Sequence, residues 1–173
     1  MRGEMTREQV SASIKDEVQF AVFKAGGEEY AVDIMRIIEI IRPMKVTRVP
    51  KSPEFIRGII NLRGRVIPVL DVRERFGLDA KDNDKRTRVV IVRFESRIVG
   101  LVVDEVTEVL YLSREEVDEA PDTVKGAGAE YLSGVGKVGE RLIIILDTGK
   151  LLTREEAGGL GEVEKAALET QVQ

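Results

Sequence analysis

Four aspartates and one glycine-rich segment are the features of this chain whose residue types and spacing could support chemistry. Asp33, Asp71, Asp104 and Asp147 could act as general acids or bases, and Gly134 to Gly139 fits the G-x-G-x-x-G pattern of dinucleotide-binding folds. The chain has no Cys and no His, which removes thiolate nucleophiles, the commonest general base and the commonest metal ligands. A carboxylate, Lys or Tyr enzyme stays open, but the sequence predicts no catalytic activity, no cofactor and no bound metal.

The glycine-rich segment lacks the context that phosphate binding requires. A dinucleotide-binding loop lies between a strand and a helix N-terminus, whereas this segment is followed by Leu142 to Leu146, a predicted strand. Lys137 is followed by Val138 rather than Ser or Thr, so the P-loop pattern fails as well. We therefore expect a hairpin turn. Asp71 and Asp147 each follow a strand directly, where a carboxylate caps a turn or short helix.

Composition favours a small all-β protein with a charged surface. Of 173 residues, 43% are hydrophobic but only 5% are aromatic, so Val, Ile and Leu must build the core. The net charge of −4 gives no electrostatic reason to expect nucleic acid or an anionic membrane as partner. No apolar run approaches 18 residues, and the N-terminus has no signal-peptide core, which predicts a cytoplasmic protein without membrane insertion. Residues 1–16 and 158–173 are predicted to be mobile tails.

The chain repeats itself between these tails. Residues 55–71 align without a gap on residues 131–147, so that Gly58 matches Gly134 and Arg65 matches Arg141. Earlier in each half, residues 31–40 resemble residues 102–109 if the second copy is two residues shorter. That alignment places Asp33 with Asp104. Two units of about five short strands each suit small closed barrels.

A basic stretch lies between residues 42 and 65. It contains seven basic residues against a single acid, Glu54. Three interpretations stay open: an oligonucleotide site, a solvated face, or a basic patch for an acidic protein surface. Nucleic acid binding is disfavoured because Phe55 is the only aromatic residue there that could stack on a base. The basic residues are Arg42, Lys45, Arg48, Lys51, Arg57, Arg63 and Arg65.

The segment Asn61-Leu62-Arg63-Gly64 is flanked by two apolar strands and predicts a tight turn. Gly64 can take a positive φ there, so Arg63 would project from a rigid hairpin tip. A guanidinium held in this way suits a carboxylate of a partner. A surface Arg without a role, or one tied to a carboxylate such as Glu39 of the same chain, is the alternative.

These residues resemble the CheW family, the coupling proteins of bacterial chemotaxis. The resemblance extends over residues 17–153 and is most specific from Phe55 to Asp71. It implies two SH3-like five-stranded β-barrels, related by the internal repeat and joined by a shared apolar interface, with short helical turns. The first barrel would cover roughly residues 17–80 and the second roughly 86–153, with exchange of outer strands between them left open.

The resemblance also implies a function and partners. The chain would be a non-catalytic adaptor that couples the glutamate-bearing, helical cytoplasmic tips of methyl-accepting chemoreceptors to the regulatory domain of the histidine kinase CheA. Other CheW-like domains in receptor arrays would be further partners. Receptor contact would fall on Glu39, Arg63, Gly64 and Val109. Kinase contact would fall on or near Ile37, Gly58, Val106 and Gly134. The alternatives are an adaptor for a non-flagellar kinase pathway and an oligonucleotide-binding double barrel.

Overall fold

The computed structural model describes residues 17–79, 81–94, 96–119 and 132–150. Both predicted tails lie outside these residues, as do residues 151–153 of the predicted domain. The strands are β1 (Glu17–Ala25), β2 (Glu28–Asp33), β3 (Ile37–Ile41), β4 (Ile56–Leu62), β5 (Arg65–Asp71), β6 (Arg88–Phe94), β7 (Arg97–Val103), β8 (Glu105–Ser113), β9 (Val117–Asp118), β10 (Leu132–Val138) and β11 (Arg141–Leu146). The α-helix α1 is the short turn Val72–Arg75, and 3₁₀ turns occupy Ile34–Arg36, Arg114–Glu116 and Thr148–Lys150.

The strands form two sheets with the same internal order. One has the order β3-β6-β7-β5-β4, and we call it barrel I. The other has the order β8-β1-β2-β11-β10-β9, and we call it barrel II. In each barrel a parallel contact, β5 with β7 or β2 with β11, joins two antiparallel groups of strands. The predicted fold class, all-β with two SH3-like barrels related by an internal repeat, is confirmed. The predicted five strands hold for barrel I, whereas barrel II has a sixth, the two-residue β9.

The repeat is preserved in strand register as well as in sequence. Gly58 pairs with Val69 across β4 and β5, directly after a β-bulge. Gly134 pairs with Ile145 across β10 and β11, again directly after a bulge. Bulges bend a strand at a defined residue, so the same bend is built at the same place in both barrels.

The earlier part of the repeat corrects the sequence alignment. Gly100 on β7 lies beside Val69 on β5, and Ala31 on β2 lies beside the equivalent position on β11. Ala31 therefore corresponds to Gly100 without any gap, and the match of Asp33 with Asp104 is wrong. The error has a physical reason: a shift of two residues keeps every side chain on the same face of a strand, so both alignments match the apolar pattern.

The charged stretch of residues 79–88 between the two strand-rich halves is the linker that the sequence predicts, but the two sheets do not divide there. β1 and β2 precede the linker but join β8 to β11 in barrel II, while β6 and β7 follow it and join β3 to β5 in barrel I. Each barrel thus takes strands from both halves of the chain. A partition of the strands into residues 17–80 and 86–153 does not describe either barrel.

A shared apolar cluster lies between the barrels. It includes Phe23 and Tyr30 from barrel II, together with Leu70 and Leu101 from barrel I, all buried. Tyr30 stacks against Phe23 at 5.9 Å and against Phe76, which follows α1, at 5.1 Å between ring centroids. Burial of this surface is the main force that holds the barrels together, but it is non-directional.

Candidate protein-binding surface

The hairpin between β4 and β5 turns through two residues with positive φ. Arg63 has φ 51° and Gly64 has φ 85°, which is the geometry of a type I′ turn. Asn61 Oδ1 accepts a hydrogen bond from the Gly64 N–H at 2.9 Å and fixes the loop. The predicted positive φ of Gly64 is confirmed. The positive φ of Arg63 was not predicted, and a non-glycine residue adopts it only at a cost of about 1–2 kcal/mol.

Arg63 is held by Glu39 of β3 although its side chain stays exposed. Arg63 Nη1 donates to Glu39 Oε2 at 2.9 Å, and Nη2 donates to Oε1 in a second, parallel bond. The Arg63 side chain is 70% exposed and that of Glu39 is 31% exposed. An ion pair at such an exposure adds little stability, so its main effect is to hold the guanidinium in one place. Two of the residues expected to contact the receptor therefore contact each other.

Exposed apolar side chains lie on the same strand as Glu39. Ile38 is 47% exposed and Ile40 is 41% exposed, while Met35 and Met44, just before and after β3, are exposed at 85% and 37%. Exposed apolar side chains mark a protein-interaction surface where they form a contiguous patch. Sequence reasoning missed them, although the run Ile37 to Ile41, with a carboxylate at its centre, carried the signal. We call Glu39, Arg63 and Gly64 the β3 surface. Ile40 follows Glu39 in register and therefore faces the other side of β3.

Val109, the remaining residue expected to contact the receptor, lies in the other barrel. It is on β8, 49% exposed, with Tyr111 on the same strand 60% exposed. β8 pairs with β1 in barrel II in the same way as β3 pairs with β6 in barrel I. Val106 lies opposite Phe23, and Ile37 lies opposite Val92 at the equivalent position. Val109 is thus the barrel II counterpart of Ile40. The structure brings Glu39, Arg63 and Gly64 together and places Val109 on a separate barrel.

Two of the four residues expected to contact the kinase pack inward. Ile37 and Val106 are partly buried against the shared apolar cluster. Their packing gives them a role in joining the barrels. A kinase contact at either residue stays a prediction.

The other two, Gly58 and Gly134, lie where each barrel closes. Gly58 has φ 148°, and a Cβ there would lie 2.2 Å from the Thr47 carbonyl oxygen. Thr47 exchanges two backbone hydrogen bonds of 2.8 Å with Ile59 at this closure. At Gly134 a Cβ would lie 2.7 Å from the Asp118 carbonyl oxygen, where β9 meets β10. Both glycines are required by the close approach of two backbones, and their contact with a kinase stays a prediction.

The aspartates that could have been catalytic are engaged by backbone and arginine groups. Asp71 is fully buried and caps α1 by accepting a hydrogen bond from the Arg73 N–H at 2.9 Å. The Arg73 guanidinium donates a further hydrogen bond of 3.0 Å to each oxygen of the Asp71 carboxylate. Arg57 Nε lies 3.1 Å from the same carboxylate. Asp104 accepts Arg73 Nη1 at 3.0 Å. Burial alone would lower the pKa of Arg73, but these carboxylates raise it, so the arginine stays charged.

Of the remaining motifs, Asp147 takes the predicted form, whereas the glycine-rich segment, predicted as a hairpin turn, is mostly strand and only its last glycine lies in the turn. Asp147 Oδ1 accepts the Gly149 N–H at 2.9 Å, which is a turn cap. Gly134 to Gly139 form β10 and the hairpin turn that follows it, with φ 61° at Gly139. Within the described ranges no three His, Cys, Asp or Glu side chains are grouped closely enough to hold a metal ion.

The basic stretch is divided between internal pairs and exposed side chains. Arg57 and Arg63 are bound by Asp71 and Glu39. Phe55, the one aromatic residue that could have stacked on a base, is partly buried, with the Arg75 guanidinium 4.5 Å from its ring centroid. The other five basic residues, Arg42, Lys45, Arg48, Lys51 and Arg65, are exposed.

Two SH3-like barrels with a fixed arginine at a hairpin tip and exposed apolar strands define a protein-binding module. In the part of the chain that the structure covers, no helix is long and apolar enough to cross a membrane. The family model of the CheW-like domain matches residues 19–156, and the chain belongs to this family. It is a non-catalytic scaffold of chemotaxis.

Individual relatives agree with this assignment. The chain is 40% identical to the chemotaxis protein CheW of Klebsiella aerogenes over 148 residues, which covers 86% of this chain and 89% of that protein. It is 36% identical to the chemotaxis protein CheW of Helicobacter pylori, over 86% of this chain and 93% of that one. The crystal structure of the scaffolding protein TtCheW from Thermoanaerobacter tengcongensis matches 80% of this chain and 94% of its own, with a TM-score of 0.74 and 34% identity.

Proposed function

We propose that this scaffold couples the cytoplasmic tips of chemoreceptors to the regulatory domain of a CheA-type histidine kinase, in the cytoplasm and recruited to membrane-bound receptor arrays. The observation that carries the proposal is the β3 surface. Arg63 is kept at a hairpin tip in spite of its positive φ, and Glu39 holds it in a single orientation.

The chemistry of this surface suits a helical, glutamate-bearing partner. A guanidinium binds a carboxylate through two parallel hydrogen bonds. Because the Arg63–Glu39 pair is exposed, a carboxylate of the partner can approach Arg63 without first uncovering it. The fixed side chain loses little entropy on binding, which favours affinity.

The kinase contact is proposed on or near Ile37 and Gly58 in barrel I and Val106 and Gly134 in barrel II. The positions are equivalent in the two barrels, so each barrel offers one such contact. The regulatory domain of the kinase is itself CheW-like according to the family resemblance. A barrel of the kinase can therefore pair with a barrel of this chain, and other CheW-like domains can do so in the same way.

The test is a binding experiment with three purified partners. Titration calorimetry of the full chain against a receptor cytoplasmic fragment and against the kinase regulatory domain should give saturable binding to both. Single-stranded DNA should show no shift in a gel at physiological salt. The proposal fails if neither protein binds, and saturable, salt-sensitive DNA binding would instead support the oligonucleotide alternative.

A further inference from the structure

We infer that Arg73 is a positioning residue that fixes the orientation of barrel II relative to barrel I. It thereby sets the separation between the β3 surface and Val109, which a partner that touches both barrels must span. The inference about orientation stands on the structure alone. Its consequence for receptor binding rests on the proposed function.

Arg73 lies at the centre of a chain of hydrogen bonds that runs from one barrel to the other. Its guanidinium binds Asp71, at the end of β5 in barrel I, through two bonds of 3.0 Å. Its third contact is Asp104 Oδ1 at 3.0 Å. The other oxygen of Asp104 accepts the Gly26 N–H at 2.9 Å, at the tip of the β1–β2 hairpin of barrel II.

Asp104 is also the residue at which the chain passes between the barrels. It lies between the end of β7, in barrel I, and the start of β8, in barrel II. Its own N–H donates to the Lys24 carbonyl oxygen of β1 at 2.9 Å. Arg73 is therefore attached to the crossover itself, where a small change of direction would be carried into the whole of barrel II.

The hydrogen bonds of Arg73 are directional, so they resist rotation of one barrel against the other, which the apolar cluster does not. Leucine and valine contacts tolerate small rotations, whereas a guanidinium with three fixed bonds does not. The Arg73 side chain is only 1% exposed and that of Asp71 is fully buried, while the Asp104 side chain is 16% exposed, so water is largely excluded from these bonds.

The repeat shows that the barrel fold does not need this arginine. Asp147 corresponds to Asp71 and caps the following turn in the same way, but Gly149 takes the place of Arg73. A short helical turn with the same aspartate cap, 3₁₀ in place of α, thus forms without a guanidinium. Arg73 is then a feature of one junction between the barrels and not of the barrel itself.

The test measures the distance between the barrels by pulsed electron spin resonance. The chain has no Cys, so two introduced cysteines label specifically. Arg65→Cys on β5 and Ser133→Cys on β10 are exposed sites, one on each barrel. The test variant is Arg73→Met with Asp104→Asn, which removes the guanidinium and lowers the charge left behind.

The matched control is Arg141→Met. Arg141 also bridges two carboxylates, Glu29 at 2.7 Å and Glu108 at 2.5 Å, but all three residues belong to barrel II. We expect a narrow distance distribution in the parent and in the control, and one at least twice as broad in the test variant. Receptor affinity should fall about tenfold in the test variant.

An unchanged distribution in a test variant with native circular dichroism would overturn the inference. If the double variant does not fold, Arg73→Lys takes its place, because it keeps the charge and loses the fork; parent-like width in that variant overturns the inference equally. The distance measurement needs no partner, so failure of the parent to bind receptor counts against the proposed function and leaves the result on Arg73 intact.

Discussion

Barrel I and barrel II have the same strand order but use their arginine–glutamate pairs differently. In barrel I, Arg63 at the hairpin tip binds Glu39 and remains largely exposed. In barrel II the residue at the corresponding hairpin tip is Gly139. Glu108 on β8, the counterpart of Glu39, binds Arg141, which is the first residue of β11. Arg141 also holds Glu29 of β2, and these hydrogen bonds lower the pKa of Glu29 and raise that of Arg141.

This difference between the barrels distinguishes residues that are needed for the barrel fold from residues that lie exposed on its surface and are available for binding. Gly58 and Gly134 are duplicated, and both lie where two backbones meet. Arg63 is not duplicated, and it occupies a backbone conformation that glycine adopts more easily in the other copy. A residue kept against the local backbone preference is expected to serve binding, because it contributes little to the fold.

The largest effect is expected where the barrels close. Gly58→Ala should lower the free energy of unfolding by about 3 kcal/mol or more, since it combines an unfavourable φ with a backbone clash at Thr47. Gly134→Ala, with a milder approach to Asp118, should cost about half as much. Urea unfolding measures both.

Gly27→Ala is the control for that comparison. Gly27 has φ 85°, and a Cβ added there would have no neighbouring atom within 4 Å, so it reports the cost of φ alone, about 1 kcal/mol. Equal losses at Gly27 and Gly58 would mean that the closure at Thr47 yields easily and that the glycine is there for another reason.

Arg63→Ala should reduce receptor affinity ten- to a hundred-fold, equivalent to about 1–3 kcal/mol, if Arg63 is a binding hot spot. Arg63→Lys should recover only part of this, because it keeps the charge without the planar fork. Titration against the receptor fragment gives the affinities, with Arg65→Ala, two residues away and also exposed, as the matched control. A melting point several degrees lower with receptor affinity intact would assign Arg63 to the fold.

Arg63→Gly tests how much the positive φ of Arg63 costs in stability. It gives barrel I the glycine that barrel II has at this position, so the positive φ costs nothing. The gain of up to about 1 kcal/mol should offset the loss of an exposed ion pair, leaving the free energy of unfolding unchanged or slightly higher. Receptor binding should fall as far as in Arg63→Ala. A clear loss of stability would show that the pair with Glu39 supports the barrel.

The smallest effect is expected in the linker between the two halves. Hydrogen bonds from the Arg86 N–H and from Lys81 lower the pKa of Asp84 from 3.8 to about 2. A carboxyl group with a lowered pKa stabilises the folded state above pH 3.8, and that contribution is lost as the pH falls through 2. Asp84→Asn should therefore flatten the acid branch of the stability curve between these values. An NMR titration of the Asp84 carboxyl carbon checks the pKa, and a midpoint near the ordinary value of 3.8 would contradict it.

The sequence predicted the barrels better than it predicted which strands build them. Gly58 and Gly134 marked the repeat because glycine at a close backbone approach cannot be replaced freely. The linker suggested two consecutive units, yet strand pairing across the chain leaves no local signal, since β1 is equally apolar beside any partner. Glu39 and Arg63 of the β3 surface followed from the family pattern. The exposure of Ile38 and Ile40 on the same strand was missed because an exposed isoleucine in a strand has the same sequence pattern as a buried one.

The exchange of strands sets the order in which the protein can be completed during its synthesis. Barrel I has all its strands once β7, ending at Val103, has left the ribosome. Barrel II begins with the first strand to emerge but needs β11, which ends at Leu146, to complete its sheet. Until β8 emerges, β1 is paired only with β2, and β2 lacks its other neighbour until β11 is made. An interval of this kind exposes apolar strands of a nascent chain to aggregation and to chaperones. The β1–β2 hairpin, translated before the other strands, is thus among the last elements to reach its final place.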